Sequence, residues 1–79
     1  MTTSVSVFGL GYVGCVSAAC FANEGHRVIG VDVSQVKVQQ INAGRSTIVE
    51  EGIGNLVADT VRAQRLSATS DVQIGRAHV

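Results

Sequence analysis

The sequence predicts an α/β fold on a parallel sheet, and three observations carry that prediction. Short apolar runs at residues 5–8, 27–31 and 66–69 alternate with longer segments that hold apolar residues at helical spacing. Between the first run and the first helical segment, the stretch VSVFGLGYVG at residues 5–14 spaces its glycines as G-x-G-x-x-G, a pattern suited to a tight strand-to-helix turn. The strand candidates also lack a clean one-sided alternation of apolar and polar residues, as expected of a sheet covered on both faces. The predicted order is strand, helix, strand, helix, helix, strand, an opening β-α-β unit of an α/β sheet.

Each element has its own signal. Val5, Val7 and Phe8 suit a strand that ends at Gly9. From Tyr12 the period changes: Val13, Val16 and Cys20 recur at helical spacing, while Gly14, Ala18 and Ala22 form a neighbouring row of small residues that lets a helix approach a sheet. Asn23 and Gly25 close that helix. RVIGV at residues 27–31 is the second strand, with Asp32 at its carboxyl end. Ser34 is placed to cap the next helix, which turns Val38 and Ile41 inward and ends near Gly44. GRSTIVEEG at residues 44–52 reads as a loop. A third helix is expected from about Glu51 to Ala63, with Ile53, Leu56, Val57 and Thr60 or Val61 on its apolar face. Glu50 and Glu51 at its start suit the positive end of the helix dipole. Residues 66–69 form the third strand, and Ser70 or Asp71 a cap after it.

A chain of 79 residues is one domain at most, and its 46% hydrophobic content reads as globular. Six basic and six acidic residues balance, which leaves no broad electrostatic footprint for nucleic acid. The opening residues lack a basic segment followed by a continuous apolar one, and no unbroken apolar stretch nears the ~20 residues needed to cross a bilayer. No membrane partner and a cytoplasmic location are expected. Cys15 and Cys20 stand too far apart on one helix to form a bridge, and no companion ligands surround them in sequence. Both are expected as free thiols packed in the core, with no metal site; His26 is expected at the surface, and His78 stands isolated near the end of the sequence.

In a chain with nine glycines the spacing alone is a weak signal; its position after a strand strengthens it. Gly9 would let the chain leave the strand, Gly11 would let a pyrophosphate approach the backbone, and Gly14 would let the helix press against the strand. Amides near Tyr12 and Val13, at the helix start, are placed to bind phosphate. Asp32 follows Gly14 at close to the expected spacing of about 20 residues. There a carboxylate can accept both hydroxyls of an adenosine ribose and repel a 2'-phosphate, which favours NAD over NADP. The alternative is that Asp32 only caps the turn before Ser34. Lys37 lies beside the ribose or faces solvent, and Tyr12 covers the phosphates or shields the helix start.

Taken together, FGLGYVG at residues 8–14, GHRVIGVDV at 25–33, Lys37, INAG at 41–44 and RLSATSD at 65–71 give a more specific pattern. Over residues 5–72 the chain resembles the amino-terminal end of the nucleotide-sugar 6-dehydrogenases, the UDP-glucose/GDP-mannose dehydrogenase family. The resemblance implies a partial Rossmann fold truncated before its fourth strand. It also implies NAD as the cofactor of two oxidations that take GDP-mannose or UDP-glucose to the uronic acid, in a homo-oligomeric parent enzyme with a nucleotide-sugar substrate. It assigns Gly9, Gly11, Tyr12, Val13, Gly14, Asp32 and Lys37 to cofactor contact. It assigns no catalytic residue here: the family's catalytic cysteine, and the lysine and asparagine that work on the sugar, lie downstream, and neither Cys15 nor Cys20 matches.

STIVEEGI at residues 46–53 is similar to a family loop that usually reads S-P-I-V-E-P-G-L, and its serine and I-V pair resemble the GDP-mannose branch. Thr47 and Glu51 replace both prolines, which removes preset dihedrals from the loop. The expected division is 1–72 as the cofactor part and 73–79 as a non-native tail. QIGRAHV departs from the alanine-rich helix that the resemblance implies there, and ATC GGA AGA GCA CAC GTC, a permitted coding of residues 74–79, is common sequencing-adapter DNA. The second reading is a stand-alone dinucleotide-binding or sensing module without catalysis, whose gene would lack a downstream C-x-P-K-D-like segment.

Overall fold

A computed structural model describes residues 3–78 and places β1 at Ser4–Phe8, α1 at Tyr12–Asn23, β2 at Arg27–Val31, α2 at Gln35–Asn42, α3 at Ile53–Arg62, β3 at Leu66–Thr69 and α4 at Val72–His78. The strands form one parallel sheet in the order β1-β2-β3. Ser4 stands opposite Arg27 and Phe8 opposite Val31, while Val28 faces Leu66 and Val31 faces Thr69. The predicted element order holds through β3. Beyond it, Asp71 Oδ1 accepts from the N–H of Gln73 at 2.9 Å and of Ile74 at 3.4 Å, which starts α4. Val79 of the expected tail lies outside the described residues.

Side-chain alternation separates the faces of the sheet. Val5 and Val7 of β1, Val28 of β2, and Leu66 and Ala68 of β3 pack into one core with residues of α1, α2 and α3. On the opposite face α4 covers the ends of β1 and β2: the Ser6 hydroxyl donates to the Gly75 carbonyl, and Gly75 lies against Val31 and Phe8. The expected lack of one-sided alternation is therefore corrected for β3, whereas β1 shows none in its burial. In β3 Leu66 is buried, Ser67 exposed and Ala68 buried. Among the described residues the second face carries one short helix, α4, so polar residues stand on it.

The small row of α1 at Ala18 and Ala22 is buried as expected, but the line through Val13 and Cys20 is corrected. Cys15, Ala18, Ala19 and Ala22 are buried, whereas Val13 and Cys20 are exposed, so only one of the two cysteines packs in the core. The start of α1 is held close: a Cβ on Gly14 would stand 1.7 Å from the carbonyl oxygen of Gly9 in the turn, which leaves no room there for a larger side chain.

Helix α2 follows its expected course, with the Ser34 hydroxyl accepting from the Lys37 N–H at 3.3 Å and Val38 and Ile41 buried. Helix α3 begins at Ile53, two residues later than expected, because Gly52 adopts a left-handed φ of 85° just before it. Its buried residues are Ile53, Val57 and Thr60, whose hydroxyl donates to the Leu56 carbonyl at 2.6 Å.

Candidate dinucleotide site

The register of β1 and β2 brings their carboxyl ends side by side, and the glycine turn leaves the sheet there. Gly9 has φ +94°, a conformation side chains rarely adopt, and its N–H still donates to the Val31 carbonyl at 2.7 Å. Leu10 then turns inward and is fully buried against Gly30, where a Cβ would stand 2.6 Å from Leu10 Cδ2. Gly11 faces the other way: a Cβ there would meet nothing within 4 Å.

Gly11 is also the N-cap of α1 and supplies no capping side chain. The first α-helical bond of that turn runs from the Cys15 N–H to the Gly11 carbonyl at 2.9 Å. Helix geometry therefore leaves the N–H groups of Tyr12, Val13 and Gly14 without an intrahelical acceptor. Open space over Gly11 and uncapped amides at the positive end of α1 fit a pyrophosphate.

Asp32 follows β2, and its carboxylate holds two backbone turns. Oδ2 accepts from the Leu10 N–H at 2.7 Å and Oδ1 from the Ser34 N–H at 2.8 Å. The carboxylate thus ties β2 to the glycine turn and caps its own turn. Each oxygen keeps a second lone pair for a hydroxyl. The Ser34 and Leu10 amides hold its pKa below the usual carboxylate value; burial opposes them, and Lys37 adds to the lowering. Lys37 Nζ stands 4.0 Å from Asp32 Oδ2, with its side chain 42% exposed against 11% for Asp32. Lys37 therefore stands beside the expected ribose position and also reaches solvent.

Tyr12 and Val13 are exposed at the helix start. The Tyr12 hydroxyl donates to Glu50 Oε2 at 2.8 Å, and that contact raises the phenol pKa, first through the hydrogen bond and then through charge. Glu50, expected to serve the dipole of α3, instead fastens the loop before α3 to the start of α1. A second fastening joins the Thr47 hydroxyl to the Leu10 carbonyl at 2.7 Å.

Beside Asp32 opens a cleft of about 280 Å³ lined by Phe8, Gly9, Val31, Asp32, Val33 and Val72. Sequence reasoning took Gly9 and Asp32 from this set and missed the apolar walls, because Phe8 and Val31 read as strand core. The available signal was their place at the carboxyl ends of parallel strands, where ligands bind in open α/β sheets. Leu10 and Thr47 were missed as well, the first because the glycine spacing places no demand on the residue between Gly9 and Gly11. Among the described residues no group of three or more His, Cys, Asp or Glu side chains gathers as a metal site, and no helix is long and apolar enough to cross a membrane.

The family model for the NAD binding domain of the UDP-glucose/GDP-mannose dehydrogenases matches residues 3–79. The chain belongs to this family. Within the UDP-glucose/GDP-mannose dehydrogenase family, the GDP-mannose 6-dehydrogenase of Azotobacter vinelandii is 52% identical over 68 residues, or 86% of this chain and 16% of that protein. A GDP-mannose dehydrogenase from Pseudomonas aeruginosa, solved as a ternary complex, superposes with a TM-score of 0.94 at 46% identity, covering 96% of this chain and 17% of that one. A UDP-glucose dehydrogenase from the hyperthermophilic archaeon Pyrobaculum islandicum gives a TM-score of 0.91 at 40% identity, covering 98% and 18%. The chain thus spans less than a fifth of the length of these family members. Its three parallel strands are the amino-terminal part of the family's Rossmann-like cofactor domain, and NAD is that domain's cofactor.

Proposed function

We propose that this chain binds the adenosine and pyrophosphate portion of NAD within a dehydrogenase that oxidises the sugar of GDP-mannose to the uronic acid. The observation that carries the reading is the pairing of the uncapped α1 amides beneath open space at Gly11 with Asp32, 22 residues from Leu10 and hydrogen-bonded to it. Gly9 and Gly14 shape the turn; the Tyr12 and Val13 amides receive the phosphates; Asp32 accepts the ribose hydroxyls, with Lys37 beside it. Bound NAD supplies the hydride acceptor: primary alcohol to carboxylate is a four-electron oxidation, so two NAD are reduced per sugar and water provides the second oxygen. The 52% identity to a GDP-mannose 6-dehydrogenase supports GDP-mannose as the substrate ahead of UDP-glucose.

The 79-residue chain alone is proposed to bind without turnover. Cys15 is buried, with its sulfur 3.6 Å from the Ser46 hydroxyl, and neither cysteine lines the cleft. Residues 73–79 are proposed to be non-native, and the parent enzyme to be a cytoplasmic homo-oligomer.

Calorimetric titration of the chain with NAD and NADP tests the cofactor reading, which predicts binding with NAD preferred; equal affinity for both, or for neither, overturns it. Recovery of the longer gene tests the remainder. Its product should reduce two NAD per GDP-mannose, and its coding DNA should depart from the adapter sequence after residue 72. A complete gene without the C-x-P-K-D-like segment would favour the sensing module.

A further inference from the structure

Leu10 is held at both ends of its backbone. Its N–H donates to Asp32 Oδ2 at 2.7 Å, and its carbonyl accepts from the Thr47 hydroxyl at 2.7 Å. That carbonyl belongs to the same planar unit as the Gly11 N–H, and across a trans peptide the two point in opposite directions. Fixing the carbonyl therefore fixes the direction of the Gly11 N–H, for which no acceptor is found among the described residues. Thr47 is half-buried, and its loop is braced by Ser46, whose hydroxyl donates to the Ile48 carbonyl at 2.8 Å and accepts from the Ile48 N–H at 3.1 Å.

We propose that Thr47 is a positioning residue for the dinucleotide: its hydroxyl holds the Leu10–Gly11 peptide so that the Gly11 N–H is presented to the pyrophosphate. Proline, which stands here in the loop that this segment resembles, has no donor and could not make this bond. Donation to the carbonyl also draws electron density from the amide, which makes the Gly11 N–H a better donor to an anion. The assignment rests on the NAD reading above and adds a residue from a different loop to it.

The test compares the 79-residue chain with Thr47→Val, which keeps the shape and loses the donor, and Thr47→Ser, which keeps the donor. NAD and adenosine are titrated into each by NMR. Thr47→Val should weaken NAD binding about threefold to tenfold, the range for one net hydrogen bond, while adenosine affinity stays within about twofold. Thr47→Ser should match the parent sequence for both ligands. The Gly11 amide nitrogen gives a readout without ligand: its resonance should shift in Thr47→Val and return in Thr47→Ser. Should Thr47→Val not fold, Thr47→Ala, which also lacks the donor, takes its place. Unchanged NAD affinity without the hydroxyl, or an equal loss for NAD and adenosine, overturns the positioning role alone. A parent chain that binds no NAD overturns the dinucleotide reading and this proposal together.

Discussion

At the scale of the residue, Asp32 carries both a structural bond to the glycine turn and the proposed choice between NAD and NADP. Asp32→Ala should abolish the preference for NAD over NADP, because it removes both the ribose acceptor and the charge that repels a phosphate. It should also destabilise the cofactor-free chain by roughly 1–3 kcal/mol, since the Leu10 and Ser34 amides lose their acceptor. Parallel titrations with the two dinucleotides and melting curves without either check both effects. The lowered pKa sets the direction of a pH effect: the unfolded chain takes up the proton first. The contribution of Asp32 is complete above the unfolded pKa and is lost as pH falls through the folded one. Urea midpoints followed from neutral pH down through the carboxylate range should decline, and Asp32→Asn should flatten the decline. The position of Asp32 at a strand end was legible in the sequence. Its double attachment was not, because the partner amides belong to residues 22 positions back and two ahead, and a carboxylate can serve ribose and turn at once.

Among elements, α1 separates two kinds of glycine. Gly11→Val should cost at least tenfold in NAD affinity while leaving the melting temperature of the cofactor-free chain nearly unchanged, because the new side chain enters only the open space over the turn. Gly14→Ala should act in the opposite order, lowering stability by 3 kcal/mol or about that, since the added carbon meets the Gly9 carbonyl rather than a movable side chain. Thermal melts and NAD titrations of both variants distinguish the two roles; equal loss of stability would assign Gly11 to backbone geometry. The boundaries of α1, β2 and β3 were legible from period and end signals alone. The small-residue row Gly14, Ala18 and Ala22 that brings α1 close was legible as well; that Val13 and Cys20, at an equally good helical spacing, stay exposed was not. The loop from Arg45 to Gly52 was legible only as a loop, since its bonds to Leu10 and Tyr12 depend on side-chain directions that no period encodes.

For the molecule as a whole, β1 is the exposed side of the design. The Gly9 N–H and the Thr3 carbonyl both bond to β2, so in a parallel ladder the backbone groups of Ser4, Ser6 and Phe8 point to the free edge. Phe8 remains 54% exposed beside that edge. The chain should therefore self-associate with rising concentration, and Ser4→Lys should reduce the effect. Sedimentation velocity over a concentration series checks this; a single monomeric species throughout would refute it. The carboxyl end of the same strand is nonetheless anchored by the Leu10 side chain, which sits in the socket left by the missing Cβ of Gly30. The turn is riveted to the sheet before any ligand arrives. An incoming dinucleotide consequently has little disorder to remove from this part of its receptor, and can spend its contacts on residence time instead of on organising its host.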